Sequence, residues 1–105
     1  TLKLINKETI GYLPKNPVIA NAARGDIVDD DAMVEALKSK RVFALGIDVY
    51  NGEPKIHPEY LKLDNIFVLP HLGSATKRTR WDMGYRATEN LEAFFIRGKA
   101  KDQVN

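Results

Sequence analysis

The sequence predicts an α/β fold in which an open parallel sheet of about three strands is flanked by helices, with a long helix at the end of the chain. Short apolar runs alternate with helical segments along the 105 residues. Each run is continuous, which is typical of parallel strands, and each leads into a group of glycine, proline or polar residues where the chain turns. We therefore expect helices on both faces of the sheet and right-handed crossovers.

The first element is a helical segment over residues 1–13, which ends at Pro14 and Pro17. Its loose apolar stripe consists of Leu4, Ile5, Ile10 and Leu13. The run "VIANAA" at 18–23 has a β-branched start and small residues, so it predicts a short buried strand, and the "RGD" that follows predicts a turn.

The clearest helix is "DDDAMVEALKSKR", residues 29–41. Three aspartates stand at its start and basic residues near its end, which complements the helix dipole at both ends. Its predicted apolar face consists of Ala32, Met33, Ala36 and Leu37.

The second half of the chain repeats the pattern. A buried strand is predicted at 43–49, a short helical turn at 58–63, a third strand at 66–69 and a long helix at about 74–96. The stripe of that helix consists of Met83, Ala87, Leu91 and Phe94, with Trp81 and Tyr85 beside it.

Composition excludes several classes of function. The 16 basic and 14 acidic residues are mixed along the chain, which does not favour nucleic-acid binding. The absence of cysteine excludes disulfides and thiolate chemistry, and two histidines without helical metal-ligand spacing make a metal site improbable. No apolar run approaches the length of a membrane span and no leader pattern is present, so we expect a cytoplasmic protein without a membrane partner.

Polar residues follow each predicted strand. Arg24 follows the first, Asp48 and Glu53 lie at and beyond the end of the second, and His71 follows the third. In a parallel sheet these loops share the carboxyl edge, where ligands bind. A guanidinium binds a carboxylate in bidentate fashion, an imidazole can exchange the proton of a carbonyl/hydroxyl pair, and a carboxylate stabilises the imidazolium. A partly buried Asp48 could accept a hydrogen bond from a carboxamide.

Each residue also has a structural interpretation. Arg24 can be a turn residue in a surface ion pair, Glu53 a solvated loop acid, Asp48 the hydrogen-bonded end of a strand, and His71 the cap of a loop. The residue types alone leave these alternatives open, and the combination of complementary types on one edge favours a site.

The motifs "NAARGDIVDDDAMVEAL", "GIDVYNGEP" and "VLPHLGSAT", in this order, resemble the D-isomer-specific 2-hydroxyacid dehydrogenases over almost the whole chain. The resemblance implies a partial Rossmann-like sheet, NAD or NADP as cofactor and a small 2-oxo acid as substrate. It implies that Arg24 binds the substrate, that His71 donates the proton in reduction and that Glu53 pairs with His71. The implied cofactor-binding residues are Ala22, Ala23, Arg24, Asp48, His71, Leu72, Gly73 and Ser74.

Within the family, "PHLGSATKRTR" is most similar to the glyoxylate/hydroxypyruvate reductase branch, and Glu53 argues against formate dehydrogenases, which carry glutamine there. No G-x-G-x-x-G is present. We therefore expect residues 1–105 to be the carboxyl-terminal portion of the NAD(P)-binding domain of a longer, homodimeric protein, with no further domain and little activity alone. The alternative is a nucleotide-sensing corepressor, which resembles the same family.

Overall fold

The computed structural model describes residues 1–104, which form two compact units, one spanning Thr1–Gly73 and one beginning at Ser74. The helices are α1 (Lys7–Tyr12), α2 (Asp30–Lys38) and α3 (Lys77–Arg97). The strands are β1 (Val18–Asn21), β2 (Ala44–Ile47) and β3 (Ile66–Val68). Two 3₁₀ turns lie at Gly25–Ile27 and Tyr60–Lys62.

The first unit contains a three-stranded parallel sheet in the order β1-β2-β3. In its register Ala20 lies opposite Gly46, and Gly46 opposite Phe67. The predicted fold class, strand order along the chain and long final helix are confirmed. Because the strands are parallel, the loops that follow them leave the sheet at one edge.

The core lies on one face of this sheet. Met33 and Leu37 of α2 are fully buried against Leu45 of β2, and Val34, absent from the predicted apolar face, is buried with them. The elements of the first unit leave the opposite face uncovered, with Val18 and Phe67 exposed, Phe67 by 66%. Within this unit, the helices therefore cover one face of the sheet.

The first helix is shorter than predicted. Asn6 caps it by accepting hydrogen bonds from the amides of Glu8 and Thr9, and the Thr9 side chain accepts in return from the Asn6 amide. Residues before Asn6 are not helical because Ile5 pairs with Val28 as an isolated parallel bridge. The stripe of residues 1–13 thus belongs to two different local structures.

The helix α2 begins as its acidic start predicts, because the Asp29 carboxylate accepts a hydrogen bond from the Ala32 amide. Beyond its end, the Arg41 guanidinium donates to carbonyls at the end of α1, among them those of Ile10 and Leu13, at 2.7 and 2.6 Å. A cation there satisfies carbonyls that have no partner in the helix. Arg41 therefore connects α2 to α1.

In the second unit, the Thr76 side chain caps α3 by accepting from the Thr79 amide, and Gly98, at φ +72°, ends it in the left-handed conformation. The segment after Gly98 returns along the helix, where Asp102 binds Arg86 and Asn90. Trp81, the most bulky aromatic of the helix, is 76% exposed. No helix within residues 1–104 combines the length and the apolar character needed to cross a bilayer.

Candidate active site

The loops that follow the three strands bring Glu53 and His71 into direct contact. Glu53 lies in the loop after β2, His71 lies in the loop after β3, and Glu53 Oε2 is 2.8 Å from His71 Nδ1. Arg24 lies in the loop after β1, at the same edge. Glu53 and His71 are 18 positions apart in the sequence, so the sheet, and not the local sequence, brings them into contact.

The Glu53 carboxylate is held by two donors. Its Oε1 accepts from the Tyr50 amide at 3.1 Å, while its Oε2 faces His71. The hydrogen bond from His71, and after it the bond from Tyr50, hold the pKa of Glu53 below its ordinary value of 4.5. Glu53 is therefore an anion at neutral pH, with a fixed orientation.

The pairing also sets the tautomer of His71. An ionised carboxylate can only accept, so Nδ1 of His71 carries the hydrogen of the shared bond. The other ring nitrogen, Nε2, remains for a second molecule, and half of the His71 side chain is exposed to solvent. This arrangement suits a group that donates or accepts a proton at Nε2.

The turn that carries His71 is bound by Asp48. The two carboxylate oxygens of Asp48 accept from the amides of Leu72 and Gly73, at 2.6 and 2.8 Å. His71 itself has φ +56°, in the left-handed region. The sequence predicted a role for Asp48 toward a cofactor, and the structure shows it bound to the loop.

The Arg24 loop is held by Asn21, which is 8% exposed at the end of β1. Its side chain donates to the Arg24 carbonyl at 2.8 Å and accepts from the Ala23 amide at 3.1 Å. The exposed guanidinium of Arg24 donates to the Ala23 carbonyl at 2.7 Å. The structure thus places Arg24 at the expected edge, with its side chain turned to its own loop.

Gly25 allows the first and second loops to touch. A Cβ atom at this position would lie 2.2 Å from the carbonyl carbon of Tyr50 and 2.5 Å from the Asn51 nitrogen, much closer than any real contact. Since the Tyr50 amide binds Glu53, the close approach at Gly25 fixes the Arg24 loop relative to the Glu53 loop.

A second set of polar contacts connects the Glu53 loop to the start of α2. Asn51 donates to Asp30 at 2.8 Å and to the Val28 carbonyl at 3.2 Å, and the Tyr60 hydroxyl donates to the other oxygen of Asp30 at 3.0 Å. Burial of Tyr60, together with the negative charge of Asp30, raises the pKa of its hydroxyl far above the ordinary value. The residue pattern did not predict these roles of Asn21, Asp30 and Asn51. Asparagines directly after apolar runs were the available signal.

A shallow depression of about 190 Å³ lies beside the carboxyl ends of the strands. Ala22, Gly46, Asp48 and Phe67 are among its lining residues. Its walls are almost entirely apolar, so its chemistry fits a flat, weakly polar ring. Of the predicted cofactor-binding residues, Ala23, Leu72 and Gly73 lie in the adjoining loops, and Ser74 begins the second unit. Within residues 1–104, no group of three or more histidine or carboxylate side chains is arranged to hold a metal ion.

Comparison with known proteins identifies the class. The sequence model described as "D-isomer specific 2-hydroxyacid dehydrogenase, NAD binding domain" matches residues 1–73. The chain therefore belongs to the D-isomer-specific 2-hydroxyacid dehydrogenase family, and the resemblance stated from its motifs is confirmed.

Individual relatives are more specific. The chain is 42% identical over 95 residues to the glycerate dehydrogenase of Hyphomicrobium methylovorum. This alignment covers 90% of the chain and 30% of the relative. It is 39% identical over 106 residues to glyoxylate/hydroxypyruvate reductase B of Enterobacter agglomerans, covering 100% of this chain and 33% of the relative. The chain thus spans about a third of the length of these relatives.

Solved structures agree with this assignment. A glyoxylate reductase from Paecilomyes thermophila has a TM-score of 0.93 at 33% identity, covering 97% of this chain and 31% of that one. An NADPH-dependent glyoxylate/hydroxypyruvate reductase from Sinorhizobium meliloti, in complex with NADP and malonate, has a TM-score of 0.90 at 35% identity, covering 95% of this chain and 31% of that one. The Rossmann-like character of the fold is confirmed.

Proposed function

We propose that this chain is the carboxyl-terminal portion of the NAD(P)-binding domain of an oxidoreductase. The reaction is hydride transfer between NAD(P)H and a small 2-oxo acid, such as glyoxylate or hydroxypyruvate, to give the D-2-hydroxy acid. The observation that carries the proposal is the contact of 2.8 Å between Glu53 Oε2 and Nδ1 of His71, whose side chain is half exposed in the loop after β3. Named relatives at about 39% identity are glyoxylate/hydroxypyruvate reductases, which supports the substrate class.

His71 is the proton donor in reduction. A nicotinamide bound beside this edge would supply the hydride, and Nε2 of His71 would donate the proton that the substrate oxygen needs as its negative charge develops. The Glu53 carboxylate compensates the positive charge that the protonated ring carries before transfer. In the oxidation direction the neutral ring accepts the same proton.

Arg24 binds the substrate. Its guanidinium, now turned to the Ala23 carbonyl, has the planar donor pair that a carboxylate accepts, and its side chain is exposed and free to rotate toward the edge. The apolar depression that Ala22 and Asp48 help to line would hold the nicotinamide, and Ala23, Leu72 and Gly73 lie in the adjoining loops. The proposal also includes a homodimer of the full-length protein, a cytoplasmic location, and no membrane or nucleic-acid partner, as expected from the sequence. The corepressor alternative receives no support from the relatives named above.

The test is a histidine substitution in the complete gene product that contains this chain. His71→Ala removes the proton donor, so kcat for reduction of glyoxylate and hydroxypyruvate should fall by about a hundredfold or more, with a smaller change in KM. Oxidation of NADH and of NADPH, followed separately, also decides the cofactor.

His57→Ala is the matched control, because His57 contacts Asp31 and the Tyr60 ring away from the proposed site. It should retain most of the activity. Undiminished reduction by His71→Ala would refute the mechanism, and a parent protein that reduces no 2-oxo acid with either nucleotide would refute the function.

A further inference from the structure

The Asp48 carboxylate engages two consecutive amides of the chain. One oxygen accepts from Leu72 at 2.6 Å and the other from Gly73 at 2.8 Å. Asp48 is itself fixed, because its amide donates to the Asn21 carbonyl at 3.0 Å, directly beyond β1 and β2. The carboxylate thus joins the end of the central strand to the turn after β3.

That turn has a backbone conformation which needs external support. His71 has φ +56°, and the left-handed region brings the Cβ atom of such a residue too close to a carbonyl oxygen. Such conformations persist where surrounding contacts determine them. Before the turn, the Leu69 amide donates to the Ile47 carbonyl at 2.8 Å, and after it Asp48 binds the next two amides. Pro70 and His71 lie between these two attachments.

An aspartate at position 48 is suited to binding the two amides of this turn. Two N–H donors that point at one side chain require two acceptor oxygens, which a carboxylate provides. Asparagine has one acceptor oxygen and would direct its NH₂ group at the other amide. A contact with the cofactor's carboxamide alone would need a single acceptor, so that contact does not account for the observed pair of hydrogen bonds.

We propose that Asp48 is a positioning residue which holds the His71 turn in its left-handed conformation, so that Nδ1 meets Glu53 and Nε2 faces the reacting oxygen. The consequence for catalysis rests on the proposed role of His71. The effect on the backbone does not, because it operates in the protein without cofactor or substrate. Asp48 therefore contributes to proton transfer through His71, in addition to any contact with the nicotinamide.

The experiment is hydrogen–deuterium exchange, measured by mass spectrometry on the complete gene product without cofactor. The amides of Leu72 and Gly73 should be protected in the parent protein, and Asp48→Asn should speed their exchange by about tenfold or more, since a hydrogen bond to a charged acceptor is lost. Asp64→Asn is the matched control, because the Asp64 side chain is 90% exposed and pairs with Lys40. It removes one carboxylate of the same type and should leave the exchange of residues 70–74 unchanged.

Kinetics supply the second readout. Asp48→Asn should lower kcat for 2-oxo acid reduction by about tenfold or more, beyond any change in nucleotide KM. Exchange of residues 70–74 that equals the parent's, with a loss confined to nucleotide affinity, would overturn the proposal. Unprotected amides at Leu72 and Gly73 in the parent would overturn it as well, whether or not the variant folds. Faster exchange in a protein that reduces no 2-oxo acid would refute the proposed function and leave the backbone role of Asp48 in place.

Discussion

At the scale of single residues, Glu53 combines charge and orientation in one side chain. One oxygen is fixed by the Tyr50 amide and the other binds Nδ1 of His71. The carboxylate therefore selects the His71 tautomer and places a negative charge beside the ring, which suits a group that exchanges a proton at Nε2. Both depend on the negative charge of Glu53, which its lowered pKa preserves.

Substitution Glu53→Gln removes this charge and keeps the size of the side chain. The His71 ring then loses the anionic acceptor that fixes its tautomer and compensates its charge during proton transfer. With His71 acting as proposed, kcat for reduction should therefore fall by about tenfold or more, with a smaller change in KM. The measurement is kcat and KM for glyoxylate and for hydroxypyruvate.

A suitable control for this substitution is Glu35→Gln, which removes an exposed carboxylate of α2. Its kcat should match that of the parent. A kcat of Glu53→Gln that also matches would show that Glu53 and His71 do not act as a pair.

At the scale of elements, close backbone contact between loops holds the carboxyl edge together. Gly25 lies against the backbone of Tyr50 and Asn51, and Asn51 is bound to Asp30 at the start of α2. The first loop, the second loop and the helix α2 are thus connected without any long side chain. The sheet sets the direction of the loops, and these contacts set their separation.

Two glycine substitutions test that separation. Gly25→Ala places a Cβ atom 2.2 Å from the Tyr50 carbonyl carbon, so the two loops must move apart. The free energy of unfolding, measured in urea, should therefore fall by roughly 2 kcal/mol or more. Gly11→Ala lies in α1 with no atom within 4 Å of the added Cβ and should stabilise the protein by about 0.5–1 kcal/mol. If Gly25→Ala were as stable as Gly11→Ala, the loops would not be in the close contact that we describe.

At the scale of the whole molecule, ion pairs connect parts of the chain that are far apart in sequence. Glu59 binds Lys38 of α2 and Lys62 of the 3₁₀ turn, and these two ammonium groups lower the pKa of Glu59 to about 2 from 4.5. A carboxyl group whose pKa is lower in the folded than in the unfolded protein stabilises the fold above its unfolded pKa. That contribution is lost as the pH falls through the folded pKa.

Acid unfolding should reveal this contribution. In the parent, the free energy of unfolding should decrease as the pH falls from about 4.5 to about 2, and Glu59→Gln should flatten part of that decrease. Urea unfolding at a series of pH values measures it, with Glu92→Gln, an exposed acid of α3, as the comparison. A decrease in Glu59→Gln as steep as that of the parent would show that the two ion pairs add nothing to stability.

The sequence by itself determined the order and type of the elements and the residues that meet at the edge. The runs "VIANAA", "FALGIDV" and "IFVL" predicted three strands, and all three are present, although each is shorter than its run. The dipole pattern of residues 29–41 predicted α2, which begins at Asp30. Continuous apolar runs and charge placement act over a few residues, so they can be read without coordinates. The pairing of Glu53 with His71 followed from parallel strands, whose carboxyl ends share one edge.

Only the tertiary structure decided the contacts that depend on the exact path of the chain. Because Ile5 pairs with Val28, α1 begins only at Lys7. No pattern within residues 1–13 predicts that pairing. The bond of Asp48 to the Leu72 and Gly73 amides joins groups 24 and 25 positions apart, and it required the register of β2 against β3. Local preference selects the element, and its partners are selected by packing between distant segments.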